Sequence, residues 1–305
     1  NHSGEVTSTA DGAQVVADNV IDEANLKVDN SPTNDYVLTA KSSAAGGLTW
    51  AEAASGGAAS FRNILINSNF AVSQRYKTGS HSSDGYVIDR WYNQLSGGSG
   101  SHQQLAFSAG DEIEGSNYYL KMNVTTGDNW CSLRYRVENV RRLTPGSWTI
   151  SFWAKGTTPP GGLKFWGNQT FGSGGSADVD ISETALTALT GSWTRQSLTF
   201  TVGSLSSKTI NDNNSYFNFN IGQGSDSGTA AWNIEIANVQ LEKGAAMTDY
   251  EQKGDETYAC QRYYQQLAYD IYDPLCSGAA FAGDMVHGTV HFYRPFRTEP
   301  SMSKA

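Results

Sequence analysis

Alternation of apolar and polar residues with a period of two runs through most of residues 61–250 and constrains the fold more than any other feature. In the segment WTISFWAKG, it places Trp148, Ile150 and Phe152 on one face of a strand and polar residues on the other. Such segments recur at intervals of roughly 10 to 20 residues, separated by turns rich in Gly, Ser and Asn. The predicted strands are residues 63–70, 86–94, 102–107, 118–124, 130–137, 148–155, 163–171, 192–202, 216–221 and 232–241. The pattern therefore predicts an all-β fold, a jelly-roll β-sandwich.

Composition supports strands over helices and limits the partners. With 17% charged residues, 32 Gly, 15 Tyr and 12 Phe, the chain suits short strands and turns better than long amphipathic helices. A net charge of -9 opposes the phosphate backbone, so we expect no nucleic-acid partner. The sequence has neither a long apolar run nor a signal-peptide pattern, so we expect no membrane insertion. Cys131, Cys260 and Cys276 are odd in number and match no metal or redox spacing, which predicts free thiols formed in a reducing cytosol.

Three regions differ in composition. Residues 1–60 hold eight acidic residues against two lysines and only two aromatic residues, Tyr36 and Trp50. Their short apolar bursts cannot form a core alone, so we predict an N-terminal shaft or attachment segment with a linker at its end, the alternative being a disordered arm. Residues 61–251 form the predicted jelly-roll domain. Residues 252–305 are predicted to form a short mixed C-terminal element, with a helix over 256–268 and strand character over 288–297, that starts a distal tip domain.

Several phrases of the sequence resemble the tail-fibre and appendage proteins of tailed, cyanophage-like bacteriophages that carry a carbohydrate-binding-module-like jelly roll. They are RNILINSNFAVSQR (62–75), YVIDRWY (86–92), WTISFWAKG (148–156), FGSGGSADV (171–179), WNIEIANVQLEKGAAMTDYE (232–251) and VDNSPTNDYVLTAKSSAAGGLTWA (28–51). The resemblance implies a homotrimer on the virion that contacts the host surface. It also supplies partners for residues 1–60, namely two further copies of the chain.

Glycan recognition needs aromatic faces that stack on sugar rings and planar polar groups that bind hydroxyls. Alternation puts Trp153 and Lys155 on the polar face of one predicted strand, and Trp166 and Asn168 on that of the next. We predict that Trp153 and Trp166 are neighbours on one polar sheet face that binds sugar. Trp130, in the turn-like sequence TTGDNW, is a further candidate. The alternative is that these tryptophans pack under loops or between protomers.

Other chemistry is less well supported by the residues. Asp178, Asp180 and Glu183 are carboxylates of the kind that glycoside hydrolysis uses in pairs, but they lie beside a Gly/Ser turn, so we predict no catalytic residue and no enzyme activity. In related jelly rolls, acids placed like Glu235 and Glu242 help to bind calcium, but the spacing of a calcium loop is absent. We therefore predict no metal and no cofactor.

These observations predict a phage tail-fibre or virion appendage protein that mediates adhesion by recognising host-surface glycan. The expected partners are the chain itself as a homotrimer, other tail or capsid proteins through residues 1–60, and host cell-surface polysaccharide. The expected location is the virion, after assembly in the host cytoplasm. Two alternatives remain open: a purely structural fibre or capsid-decorating protein, and a polysaccharide depolymerase.

Overall fold

A computed structural model describes residues 6–7, 15–16, 26–33, 36–52, 62–75, 82, 84–113, 115–226, 228–268, 278–280 and 286–302. The chain divides into two compact units, Asn1–Ala59 and Ser60–Ala305. Across the described ranges, no helix has the length and apolar character needed to cross a membrane. Cys131 and Cys260 are buried free thiols, and the prediction for Cys276 lies outside the described residues.

The unit Asn1–Ala59 contains short antiparallel pairs. Its strands are β1 (Val6–Thr7), β2 (Val15–Val16), β3 (Tyr36–Ala40) and β4 (Leu48–Glu52), with β1 paired to β2 and β3 to β4. The side-chain amide of Asn30 clamps β4, since its Oδ1 accepts the Trp50 backbone N–H at 2.7 Å and its Nδ2 donates to the Trp50 carbonyl at 2.8 Å. These two hydrogen bonds hold β4, on the outer edge of the β3–β4 hairpin, against the segment that contains Asn30.

The unit Ser60–Ala305 contains two antiparallel sheets. Its strands are β5 (Gly85–Ile88), β6 (Trp91–Gln94), β7 (Ser99–Ala106), β8 (Tyr118–Thr126), β9 (Ser132–Glu138), β10 (Gly146–Thr157), β11 (Lys164–Thr170), β12 (Val179–Ala185), β13 (Thr194–Val202), β14 (Tyr216–Gly222) and β15 (Trp232–Lys243). The five-stranded sheet has the order β13-β10-β15-β8-β7, and the six-stranded sheet has the order β12-β11-β14-β9-β6-β5. From β8 to β15 the chain changes sheet at every connection except β11–β12. The predicted all-β jelly-roll sandwich is therefore confirmed.

The core lies between the sheets and follows the alternation of the sequence. Trp148, Ile150 and Phe152 of β10 are buried in the core cluster, as predicted. From the six-stranded sheet, Phe219 stacks near Tyr135 with ring centroids 5.7 Å apart. Because successive side chains of a strand point to opposite faces, burying these residues turns their polar neighbours outward.

Residues 62–73 form no strand, so the prediction of a strand over 63–70 is wrong. Asn67 and Phe70 have φ angles of 56° and 58°, which no strand accommodates. Buried asparagine side chains take over the hydrogen bonds of the backbone here. The Asn67 amide accepts the Val72 N–H at 2.9 Å and donates to the carbonyls of Val72 and Asp89, both at 2.8 Å. Residues 62–73 are therefore an irregular buried segment whose backbone is hydrogen-bonded by side chains, and we call this segment the plug.

The plug also bonds to both sheets. The Asn63 Oδ1 atom accepts the Leu241 N–H of β15 at 3.2 Å, and the Ile66 N–H donates to the Tyr135 hydroxyl of β9 at 2.8 Å. At the same place, the indole N–H of Trp91 donates to the Asn67 carbonyl at 2.8 Å.

Two further expectations about strands are corrected. The predicted strand 86–94 is a hairpin, β5 and β6, because Asp89 and Arg90 form a turn in which Arg90 has a φ angle of 74°. Residues 179–185 form a strand, β12, that the sequence analysis did not predict. Its alternation is weak because it lies at the sheet edge and exposes most of its side chains.

The C-terminal part is less regular than predicted. The helix expected over 256–268 is only one short helix, α1 (Glu256–Cys260), followed by a turn. Strand β16 (Gly278–Ala280) pairs with β17 (Val286–Gly288), whereas residues 289–297 form no strand. Among the described residues, the backbone of this segment bonds to a side chain and not to a neighbouring strand. The Gln265 amide accepts the Tyr293 N–H at 2.8 Å and donates to the Arg294 carbonyl at 2.7 Å.

Replacing Trp91 tests the core. Its side chain is fully buried and contacts Phe70 and Tyr135 with ring centroids 5.0 Å and 4.9 Å away. Trp91→Ala is expected to lower the free energy of unfolding by about 3–5 kcal/mol, measured by urea denaturation. As a control, Met247→Ala removes an apolar side chain that is 47% exposed and should change it by about 0.5 kcal/mol or less. Equal losses in both variants would contradict this assignment of the core.

Candidate functional site

The outer face of the six-stranded sheet carries a continuous row of aromatic and planar polar side chains. Cross-strand register aligns Trp166, Asn220, Arg134, Tyr92 and Tyr86 across five strands. Four strand spacings make this row roughly 19 Å long. On β11, β14, β9 and β6, the members of the row alternate with buried residues of the core, namely Phe165, Phe219, Leu133 and Trp91.

A second row lies beside the first, and hydrogen bonds fix both. Arg134 Nε donates to Asn220 Oδ1 at 2.9 Å and its Nη2 donates to Gln94 Oε1, so the guanidinium is tied to both neighbouring strands. In the second row, Asn218 Nδ2 donates to Asn168 Oδ1 at 3.1 Å, and Asn168 Nδ2 donates to Asp178 at 2.8 Å. The polar floor of the face is thus held in one conformation before any ligand arrives.

Two tryptophans stand at one end of the face. The ring centroids of Trp130 and Trp166 are 5.3 Å apart at an interplanar angle of 63°. Trp130 is 37% exposed and has a φ angle of 66°, and its backbone N–H donates to the Gly224 carbonyl at 2.8 Å. The turn before β9 therefore aims Trp130 at the strand residue Trp166. Together they form an edge-to-face aromatic corner.

The predicted site residues are divided between the two sheets. Trp166, Asn168 and Trp130 lie on the six-stranded side, whereas Trp153 and Lys155 lie on β10 of the five-stranded sheet. The prediction that Trp153 and Trp166 are neighbours on one face is wrong. The reason is that the chain crosses to the opposite sheet between β10 and β11, which periodicity within each strand does not reveal.

Lys155 is engaged within the five-stranded sheet. Its ammonium forms ion pairs with Asp111 at 2.8 Å and Glu235 at 3.4 Å, and lies 4.8 Å from the ring centroid of Trp193. Burial lowers the pKa of Lys155, but the hydrogen bond that Lys155 donates to Asp111 and the charge of Glu235 outweigh it and raise the pKa above its usual value. These contacts hold the Lys155 ammonium against side chains of its own unit, and its predicted contact with glycan stays a prediction.

A pocket of about 380 Å³ lies at the other end of the face. Its walls include Arg75, Arg136, Tyr216, Tyr263 and Tyr264, none of which the sequence analysis proposed. One signal was available: in SLRYRVE, alternation puts Arg134 and Arg136 on the same outward face of β9. The remaining walls come from segments far apart in the sequence.

Glu138 anchors the C-terminal part beside this pocket. Its carboxylate pairs with Arg262 at 2.8 Å and Arg297 at 3.1 Å and accepts the hydroxyl of Tyr263. Burial alone raises the pKa of Glu138, but the hydrogen bonds from Arg262 and Tyr263 and the charge of Arg297 outweigh it and lower the pKa to about 2. The walls of the pocket are thus joined by a charged cluster.

Among the described residues no group of His, Cys, Asp and Glu side chains is arranged to hold a metal ion. The two carboxylates considered for calcium have other partners. Glu235 pairs with Lys121 at 2.9 Å, and Glu242 accepts the backbone N–H of Thr248 at 2.9 Å and the Gln240 amide at 2.8 Å.

No family profile and no curated protein matches the chain. Among solved structures it is similar to the enzymatically active domain of tailspike protein 4 of bacteriophage CBA120, with a TM-score of 0.31 and 13% identity over 59% of this chain and 21% of that one. It is also similar to a CBM22-1 xylan-binding domain from Paenibacillus barcinonensis, with a TM-score of 0.33 and 15% identity over 54% of this chain and 94% of that one.

A third similar structure is the baseplate tripod of bacteriophage Tuc2009, with a TM-score of 0.30 and 14% identity over 62% of this chain and 57% of that one. The structural neighbours include phage appendages and carbohydrate-binding modules. The chain spans about a fifth of the tailspike chain. Because unrelated functions share β-sandwich architecture, the function of this chain has to be argued from its own residues.

The pKa of Glu138 gives a prediction about stability. A folded-state pKa of about 2 against an ordinary 4.5 stabilises the fold above pH 4.5, and this contribution is lost as the pH falls towards 2. Because solvent reaches the carboxylate, Glu138→Gln should cost about 1–2 kcal/mol at pH 7. The difference in unfolding free energy between wild type and variant should close by about pH 2, measured by urea denaturation across pH. A difference that does not change with pH would contradict the proposed ion cluster.

Proposed function

We propose that this protein is a virion appendage of a tailed bacteriophage, and that it adheres to host-surface glycan through the outer face of the six-stranded sheet. The observation that carries this proposal is the Trp130–Trp166 corner, which opens onto a long row of fixed planar polar side chains. The virion location rests on the resemblance of the sequence phrases to phage fibre proteins.

The face suits an extended saccharide for physical reasons. An aromatic corner offers apolar surface to the C–H face of a sugar ring, while the half-buried Arg134 and Tyr92 side chains offer donors and an acceptor for hydroxyls. Because the polar groups are already held by one another, ordering them on binding costs little entropy. A shallow row of this kind favours weak binding along a polymer rather than tight binding of one sugar.

We further propose that the face binds glycan without cleaving it. Two carboxylates beside the face, Asp178 and Glu183, have other partners, which argues against their acting as a pair of catalytic acids. Asp178 accepts hydrogen bonds from Asn168 at 2.8 Å and Thr170 at 3.0 Å. Glu183 pairs with Lys164 at 3.8 Å and accepts the Ser225 N–H at 2.9 Å.

The proposed assembly is a homotrimer formed through residues 1–60. In the β3–β4 hairpin, register places Tyr36, Leu38, Leu48 and Trp50 on one face, and Tyr36 and Leu38 are 38% and 36% exposed. A two-stranded hairpin cannot bury such a face itself, so a second copy of the chain is its natural cover. Three glycan sites per trimer would then raise the avidity of weak single contacts.

Replacing the tryptophans tests the glycan face. Trp166→Ala and Trp130→Ala should each weaken binding to a host polysaccharide by about tenfold or more, because each removes stacking surface worth 1–2 kcal/mol. Trp153→Ala, on the five-stranded sheet, is the matched control and should leave binding unchanged. Binding is measured by retention of the purified chain on immobilised bacterial polysaccharides.

The same wells report reducing ends, which separates the alternatives. Loss of binding in Trp153→Ala alone would overturn the assignment of the face. Release of reducing ends would overturn the proposal of adhesion without cleavage. Absence of retention on every polysaccharide would favour a purely structural fibre.

A second variant tests the assembly. Leu38→Asp puts a charge into the apolar face of the β3–β4 hairpin and should dissociate the trimer to monomers in sedimentation equilibrium. Thr39→Asp, on the other face of the same strand, is the control and should remain trimeric. A wild-type chain that sediments as a monomer would refute the proposed homotrimer.

A further inference from the structure

The pocket at the end of the face concentrates positive charge in an acidic protein. Four arginines, Arg75, Arg90, Arg136 and Arg297, line it against two carboxylates. The chain as a whole carries a net charge of -9. A positive pocket in such a chain selects for negatively charged ligands, because the surrounding surface repels them elsewhere.

Of these four arginines, Arg297 pairs with the pocket carboxylate Glu138, and among the described residues the pocket carboxylates form no ion pair with the other three. Both oxygens of Asp89 accept hydrogen bonds from Gln74, from its backbone N–H and from its Nε2, each at 2.7 Å. The other carboxylate, Glu138, is already bound by Arg262 and Arg297. Within the described part of the chain, Arg75, Arg90 and Arg136 form no ion pair.

Tyrosine rings hold these three guanidinium groups instead. Arg75 lies 3.6 Å from the ring centroid of Tyr264, and Arg90 lies 3.6 Å from that of Tyr263. Arg136 lies 4.7 Å from the ring centroid of Tyr216. Stacking fixes the plane of a guanidinium without using its N–H groups, of which the Arg90 Nη2 donates to the Arg136 backbone carbonyl.

Two donors in the pocket lack an acceptor. The Nε atoms of Arg75 and Arg90 are buried and have no hydrogen-bond partner among the described residues. A buried donor without a partner is costly, so a ligand oxygen that reaches it gains affinity. The backbone of Arg90, with a φ angle of 74°, is held in a sparsely populated conformation that keeps its side chain at this place.

We propose that this pocket binds the oxyanion of an acidic saccharide, a carboxylate or a sulfate ester, on the same polymer that the Trp130–Trp166 corner contacts. The inference rests on the proposed glycan-binding function and adds the chemical class of the ligand. The planar N–H edge of a guanidinium matches the two oxygens of such a group in a bidentate contact. The row of polar side chains, roughly 19 Å long, connects the aromatic corner to the side of the sheet where the pocket lies.

The test compares matched polymers on the intact 305-residue chain. Polygalacturonate, its carboxyl-reduced neutral form and a sulfated galactan are titrated into the protein at low and high salt, and affinity is measured by calorimetry. Wild type should bind one of the acidic polymers at least tenfold more tightly than the neutral form, and added salt should weaken only the acidic complex. The acidic polymer that binds more tightly distinguishes carboxylate from sulfate.

Variants separate the pocket from general charge attraction. Arg136→Ala should weaken binding of the acidic polymer about tenfold and leave binding of the neutral polymer unchanged. Arg136→Lys keeps the charge but not the two parallel N–H donors of a guanidinium, so it should restore only part of the acidic binding. Lys243→Ala, which removes one positive charge from the exposed end of β15, is the control and should change neither. Far-ultraviolet circular dichroism confirms the fold of each variant.

The outcomes distinguish this inference from the proposed function. Equal affinity for acidic and neutral polymers, or an equal loss for both in Arg136→Ala, would overturn the pocket while leaving a neutral-glycan adhesin intact. If Lys243→Ala weakened acidic binding as much as Arg136→Ala, the preference would come from general charge attraction. That result would also overturn the proposed binding in the pocket. If Trp166→Ala bound the acidic polymer as tightly as wild type does, the proposed role of the aromatic corner would be overturned instead.

Discussion

The need to satisfy the buried polar groups of the plug at residues 62–73 determines much of this structure. Asn67 is completely buried, and its amide bonds to the carbonyl of Asp89 as well as to its own loop. Its backbone N–H donates to Glu256 at 2.8 Å, at the start of α1. Each such bond, if broken inside the protein, leaves a group without a partner at a cost of about 1–3 kcal/mol. One asparagine thereby links the plug, the β5–β6 turn and the C-terminal part.

The geometry of the pocket depends on these links. The turn that Asn67 holds carries Arg90, and α1 leads directly into Tyr263 and Tyr264. The tyrosine rings therefore pack on the arginines because the β5–β6 turn and α1, which are far apart in the sequence, are both hydrogen-bonded to the plug. The Glu138 cluster secures the arrangement from the sheet side through Arg262. The face and its pocket are thus consequences of how the sandwich is closed.

The two faces of the six-stranded sheet divide the chemistry between them. Inward residues such as Phe219 and Tyr135 form the aromatic core, while their neighbours Asn220 and Arg134 form the polar row outside. A row fixed by stacking and hydrogen bonds would give the weak, repeated contacts that the proposed adhesion to a polymer requires. Arginine is concentrated at one end of this row in a chain of net charge -9, so the positive charge on which the proposed oxyanion binding depends is confined to the pocket.

Local pattern was enough to predict the β-sandwich, the buried face of β10 and the outward direction of Trp166, because side-chain direction in a strand has a period of two. It did not reveal which strands share a sheet, so it placed Trp153 beside Trp166 when the chain crosses over between them. It also misread residues 63–70 as a strand, because buried asparagine bonds that span the sequence override local propensity there. The pocket was decided by tertiary structure alone: Arg75, Arg136 and Tyr264 are far apart in the chain, and only closure of the fold brings their side chains together.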